Sequence, residues 1–130
     1  RFLVRTIASR KGIRIAKWLG DGAMLVAVEP ETATEAIMEM LESLAQSDAP
    51  LELRAGLASG PVLLVDGEDY LGHAVNMASR LCDRAGPGEV LATSSMITSL
   101  MVNTPSSPIG KHKIKGFKEP IELVRLALAD

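Results

Sequence analysis

Between Ile13 and Val28 the chain alternates, breaks at a glycine-flanked aspartate and turns apolar again: Ile13-Arg-Ile-Ala-Lys-Trp-Leu19, Gly20-Asp21-Gly22, Ala23-Met-Leu-Val-Ala-Val28. Period-two alternation puts successive side chains on opposite faces of a strand, and glycines supply the tight reversal. The stretch therefore predicts a β-hairpin. A helical pattern follows at once. Pro30 and Glu31 open a segment whose Ala33, Ala36, Ile37, Met40, Leu41 and Leu44 recur at helical spacing, predicting an amphipathic helix that ends near Gln46.

The alternation of the two patterns continues. After a breaker at Ser47 to Pro50, Leu51 to Ser59 and Val62 to Val65 predict a second hairpin joined by Gly60-Pro61. Asp66-Gly67-Glu68-Asp69 reads as a polar turn. Gly72 precedes a helix with Val75, Ala78, Ser79 and Leu81 toward the core, stopped by Gly86-Pro87-Gly88. Glu89 to Ala92 predicts a short strand, Thr93 or Ser94 caps a helix through Leu100, Asn103 to Pro108 reads as a loop, and Ile121 to Leu128 supplies a final strand. Hairpin-connected strands interleaved with helices predict an α+β fold, with helices packed on a mainly antiparallel sheet. No repeat or long linker divides residues 1–130, so they read as one domain or part of one.

Composition narrows the possible partners. The longest apolar run, Ala23 to Val28, is far shorter than the roughly 20 residues a membrane-spanning helix needs. A net charge of −2 gives no broad positive field for a nucleic-acid backbone, and Phe2, Trp18, Tyr70 and Phe117 are too few for a base-stacking platform. Any phosphate must be held locally. Cys82, the single cysteine, excludes an internal disulfide and a cysteine zinc cage and fits a reducing, cytoplasmic setting. The chain starts at Arg1 rather than Met, and is expected to begin partway through a domain.

Several polar residues stand where chemistry is possible. Asp21, at the tip of the first hairpin, suits a hard cation, although Gly-Asp-Gly is also a common turn. Lys17 falls on the same face of a regular strand, roughly 13 Å away at ~3.3 Å per residue, too far for a salt bridge but able to address another part of one ligand. Asn76 and Arg80 are an i,i+4 pair that can converge on ribose or phosphate oxygens. Arg54 interrupts an apolar alternation, marking either a solvent face or an anion contact. Lys111, Lys113, Lys115 and Lys118 gather around Gly110, Gly116 and Pro120 as a mobile basic loop that could close over phosphates or simply be solvated. His73 and His112 each lack a second histidine in reach and read as surface or interface residues. No nucleophilic triad or Gly-x-x-x-x-Gly-Lys-Ser/Thr loop occurs.

In chain order, Lys17-Trp-Leu-Gly-Asp21-Gly, Leu53-Arg-Ala-Gly-Leu-Ala-Ser-Gly60, Asp69-Tyr-Leu-Gly72, Val75-Asn-Met-Ala-Ser-Arg80, Ala85-Gly-Pro-Gly-Glu89 and Ile114-Lys-Gly116 resemble a class III nucleotidyl cyclase catalytic domain, from about Gly12 to Leu126. The resemblance implies a ferredoxin-like nucleotidyl cyclase fold that converts ATP to 3′,5′-cyclic AMP and pyrophosphate in a head-to-tail homodimer. It implies two divalent cations, Mg²⁺ or Mn²⁺. By the same resemblance, Asp21 matches a metal ligand and Arg54 an arginine that holds phosphates. Lys17 and Asp69 match the base-reading pair supplied by the partner subunit, in adenylyl rather than guanylyl form. Asn76 and Arg80 match the residues that position the ribose and stabilise the reacting phosphate, and Lys115 matches the lysine near the terminal phosphates. The Phe-x-Asp-Ile-x-Gly-like strand that carries the family's first metal aspartate has no match upstream of Gly12. These 130 residues alone are therefore expected to show little turnover, with a regulatory domain elsewhere in a longer parent. A non-catalytic dimerisation or nucleotide-sensing module is the competing reading.

Overall fold

The computed structural model describes residues 2–20, 22–46, 52–65, 69–98 and 104–128, with Val65 and Asp69 described by their backbone alone. Helix α1 (Phe2–Lys11) leads into the hairpin β1 (Arg14–Leu19) and β2 (Gly22–Val26), then α2 (Pro30–Ala45) and the short strands β3 (Ala55–Leu57), β4 (Leu63–Val65) and β5 (Asp69–Leu71). Helix α3 (His73–Arg84), β6 (Val90–Thr93), a 3-10 turn (Ser94–Met96), β7 (Ser106–His112) and β8 (Ile121–Leu126) follow. The fold is α+β, as the patterning predicts. No described helix is long and apolar enough to cross a membrane.

A four-stranded sheet in the order β3-β6-β8-β7 forms the centre, parallel at β3–β6 and antiparallel elsewhere. Alternation along its inner strands assigns each residue to a layer. Val90 and Ala92 of β6 and Val124 and Leu126 of β8 pack with Met38 of α2, whereas Leu91 and Leu123 pack with Met77 and Leu81 of α3. Helices thus cover both faces of the sheet, and all four residues of β6 are buried. Helix α2 buries a second side, where Ala36 and Met40 meet Ile7 and Ala8 of α1 and Ile13 before the first hairpin. Buried on α2 are Ala36 and Met40 of the predicted apolar positions together with Thr34 and Met38, while Ala33, Ile37, Leu41 and Leu44 are half-buried.

Four expectations are corrected. The second hairpin joins β4 to β5, with Leu63 opposite Leu71 and Leu64 opposite Tyr70, and β3 pairs instead with β6. The predicted turn at Gly60-Pro61 therefore connects strands of two different sheets. In α3 Met77, not Ser79, faces the core, and Ser79 is exposed. The helix expected from Ser94 to Leu100 is a single 3-10 turn, with Ile97 and Thr98 outside any helix and Leu100 beyond the described residues. The Pro/Ser loop becomes a strand from Ser106 onward. Pro108 is tolerated because β7 is an edge strand, and the register shift between Pro108 and Gly110, with Gly110 at φ +83°, absorbs the irregularity.

Candidate functional site

Helix α3 organises the site. Its inner side buries Met77 and Leu81, while Asn76 and Arg80 are exposed, one helical turn apart. Gly72 precedes it at φ +151°, and a β-carbon there would crowd the Pro61 carbonyl oxygen at 2.7 Å, so glycine lets the chain enter the helix against the segment before β4. Tyr70, Leu71, Gly72, His73, Val75 and Asn76 line an open depression of about 280 Å³ at this end of the helix.

Arg54 is held from its backbone. The Leu53 carbonyl accepts from the Gly88 amide at 2.8 Å, the Ala55 amide donates to the Glu89 carbonyl at 3.1 Å, and the Arg54 carbonyl accepts from Cys82 Sγ at 3.7 Å. Two residues on, Gly56 lies directly against the backbone of α3 at Ala78 and Cys82. The Gly86-Pro87-Gly88-Glu89 turn is fixed in its own right, because Glu89 Oε1 accepts from the Gly86 amide at 3.0 Å and Oε2 accepts from Arg125 Nε at 2.6 Å. Those two bonds hold the Glu89 carboxyl below its usual range, the Gly86 amide contributing more. Near Arg54, burial pushes the Cys82 thiol up, Asp83 adds to the rise, and the Arg54 guanidinium opposes it.

Lys115 reaches the same helix by another route. Ile114 is buried, the Phe117 amide donates to the Ile114 carbonyl at 3.0 Å, and Gly116 has φ +92°, the signature of a type II turn with Lys115 at its first corner. The Phe117 ring meets His73 edge-on, with centroids 5.9 Å apart. The expected basic loop is therefore a closed turn docked on the start of α3, while Lys111 belongs to β7. At the other end of α3, Arg84 donates to His112 Nδ1 at 3.0 Å, and His112 Nε2 donates to the Ile109 carbonyl at 2.7 Å.

Arg54, Asn76, Arg80 and Lys115 are thus carried by α3 or by segments fastened to it. Lys17 stands elsewhere, exposed on β1 in the separate two-stranded sheet, opposite Met24 and just after a bulge at Ile15/Lys17. Asp69 begins β5 opposite Val65. Asp21 lies outside the described residues, and no group of three or more His, Cys, Asp or Glu side chains able to hold a metal occurs among the described ones. They do not by themselves make a metal centre. The ring contacts of His73–Phe117 and of Arg14 over Tyr70, at 5.8 Å, were not foreseeable from spacing. The one available signal was that aromatic residues are scarce here, so that each is a candidate anchor.

Comparison with known proteins places these features in a family. Residues 4–127 match the model of the adenylate and guanylate cyclase catalytic domain. An uncharacterized protein of Mycobacterium tuberculosis strain H37Rv is 35% identical over 118 residues, covering 91% of this chain and 31% of that protein. An adenylate cyclase of Streptomyces coelicolor is 33% identical over 102 residues, covering 78% and 26%. The chain spans less than a third of either relative. Among solved structures, an adenylate cyclase from Trypanosoma brucei in its monomeric state superposes with a TM-score of 0.88 at 18% identity, covering 98% of this chain and 75% of that one.

Proposed function

The chain belongs to the adenylate and guanylate cyclase catalytic-domain family, and from that premise we propose that it converts ATP to 3′,5′-cyclic AMP and pyrophosphate at a homodimer interface. The observation that carries this reading is the attachment of Arg54, Asn76, Arg80 and Lys115 to one helix. One amide and three cations on a shared support suit a ligand with a ribose and several phosphates.

In the reaction the 3′-oxygen forms a bond to the α-phosphorus while the bond from that phosphorus to the pyrophosphate oxygen breaks, and the hydroxyl proton passes to solvent. Asn76 orients the ribose. Arg80 meets the charge that builds on the α-phosphoryl oxygens, and Arg54 and Lys115 hold the departing pyrophosphate. Divalent cations, Mg²⁺ or Mn²⁺, are proposed as cofactors with Asp21 as one ligand. When bound, such ions acidify the hydroxyl and neutralise triphosphate charge.

Base choice rests on Lys17 and Asp69. Lysine donates to the adenine N1 and aspartate accepts from the 6-amino group, whereas guanine presents a carbonyl and a protonated N1. Lys17 lies on the separate β1–β2 sheet, while β5, which begins at Asp69, leads directly into α3, and we propose that the pair acts on a nucleotide held by the partner protomer. The β4–β5 ribbon supports dimerisation as well, since Leu63 and Leu71, cross-strand partners, remain 65% and 56% exposed. A cytoplasmic setting and a regulatory domain elsewhere in the parent complete the proposal.

The test is cyclic AMP formation from ATP by the full-length protein with Mn²⁺. Asn76→Ala and Arg80→Ala should each lower kcat by about 100-fold or more, and Asp21→Ala should abolish the Mn²⁺-dependent activity. Lys17→Glu with Asp69→Cys should weaken the use of ATP. A full-length protein that binds ATP without turning it over would establish the non-catalytic module instead.

A further inference from the structure

The turn that displays Lys115 is closed by a second lysine. Lys113 Nζ donates to the Phe117 carbonyl at 2.6 Å and to the Lys118 carbonyl at 2.7 Å, so one ammonium spans the turn from its first residue to its last. Charge-assisted bonds of this length are the stronger class, and they engage two carbonyls left outside any strand ladder. With the staple beneath it, the turn has three fixed points: buried Ile114, the Phe117 ring against His73, and the Lys113 ammonium. Lys115, at the first corner of the turn, is exposed.

We propose that Lys113 is a positioning residue whose ammonium staples the 113–118 turn, and so sets where Lys115 meets the terminal phosphates of the nucleotide. The inference rests on the cyclase reading for the role of Lys115. Without the staple, the turn keeps among the described residues buried Ile114, the Phe117–His73 contact and the Phe117-to-Ile114 bond, while Lys115 samples a wider range of positions whose ordering costs free energy when a phosphate is bound. Lys113 acts through these two bonds and not as an added positive field at the phosphates. Lys118 carries the same charge on the same turn but contributes only its carbonyl to the staple.

The experiment is a cycle in the full-length protein with Lys113→Met, Lys115→Ala and the double variant, alongside Lys113→Arg and Lys118→Met. Lys113→Met should raise the KM for ATP about five- to tenfold with little change in kcat, Lys113→Arg should restore most of it, and Lys118→Met should leave it unchanged. The double variant should match Lys115→Ala alone, and amide exchange at residues 114–118 should quicken in Lys113→Met while the melting temperature holds. Penalties that multiply in the double variant, or an equal KM rise in Lys118→Met, would overturn the proposal. Binding of inorganic tripolyphosphate by the same variants separates the two readings. If the wild type makes no cyclic AMP but its tripolyphosphate affinity follows the same cycle, the cyclase reading fails and the staple stands. If cyclic AMP forms and the cycle is flat, the staple alone fails, and absence of both turnover and tripolyphosphate binding overturns both.

Discussion

A β-carbon on Gly56 would overlap the carbonyl oxygen of Ala78 and the amide nitrogen of Cys82, so β3 and α3 are packed backbone to backbone at this point. Backbone cannot rotate away as a side chain can. Gly56→Ala should therefore push α3 off the sheet and cost about 3 kcal/mol, the upper part of the range for overpacking, which lowers the melting temperature by roughly 10 °C in a domain of this size. Gly22→Ala is the control, since its β-carbon would meet only the Leu19 carbonyl oxygen, at 3.6 Å, and should change stability by less than about 0.5 kcal/mol. Thermal unfolding checks both, and an unchanged midpoint for Gly56→Ala would contradict the packing.

How far the sequence could be read depended on whether a signal was local. The first hairpin and α2 were legible because period and turn residues lie next to one another. The partner of β3 was not, because a three-residue strand beside β6 is specified by contacts more than thirty residues away, and the glycine-proline pair mimicked a hairpin turn. In the candidate site, spacing alone paired Asn76 with Arg80. The attachment of Arg54 and Lys115 to the same helix depends on Gly56, Cys82, Phe117 and His73, whose roles arise only when distant segments meet.

Thr34 is fully buried in α2, and its hydroxyl oxygen has no hydrogen-bond partner among the described residues. Its desolvation is uncompensated. Thr34→Val keeps the shape and removes the stranded hydroxyl, so it should raise stability by about 1 kcal/mol, whereas Thr34→Ser keeps the hydroxyl, loses a methyl and should lower stability by about 1 kcal/mol. Chemical denaturation reads the difference. Equal loss in both variants would mean that the hydroxyl is satisfied.

Glu89 joins the turn after α3 to β8 through the Gly86 amide and Arg125. Both bonds favour the charged carboxylate, which lowers its value in the folded state from the ordinary 4.5. Its contribution is then complete above about pH 4.5 and is lost as pH falls through the lower folded value. Stability measured from pH 6 downward should decline in that window, and Glu89→Gln should make the decline shallower while lowering stability at neutral pH. A parallel curve for the variant would show that the bonds do not discriminate the charged form.

Cys82 can report where the Arg54 charge sits. Burial and Asp83 raise the thiol above its ordinary 9.0, and the Arg54 guanidinium opposes them. Since the thiolate is the reacting form, the pH profile of alkylation by iodoacetamide follows the thiol's ionisation. Asp83→Asn should move the midpoint down and Arg54→Gln should move it further up, giving the order Asp83→Asn, wild type, Arg54→Gln. In the proposed role of Arg54, bound triphosphate would neutralise the same guanidinium, so saturating ATP should shift the wild-type profile upward and leave Arg54→Gln little changed. A midpoint insensitive to Arg54→Gln would place the guanidinium away from Cys82. An ATP shift that persists in Arg54→Gln would show that the phosphates are held by other residues.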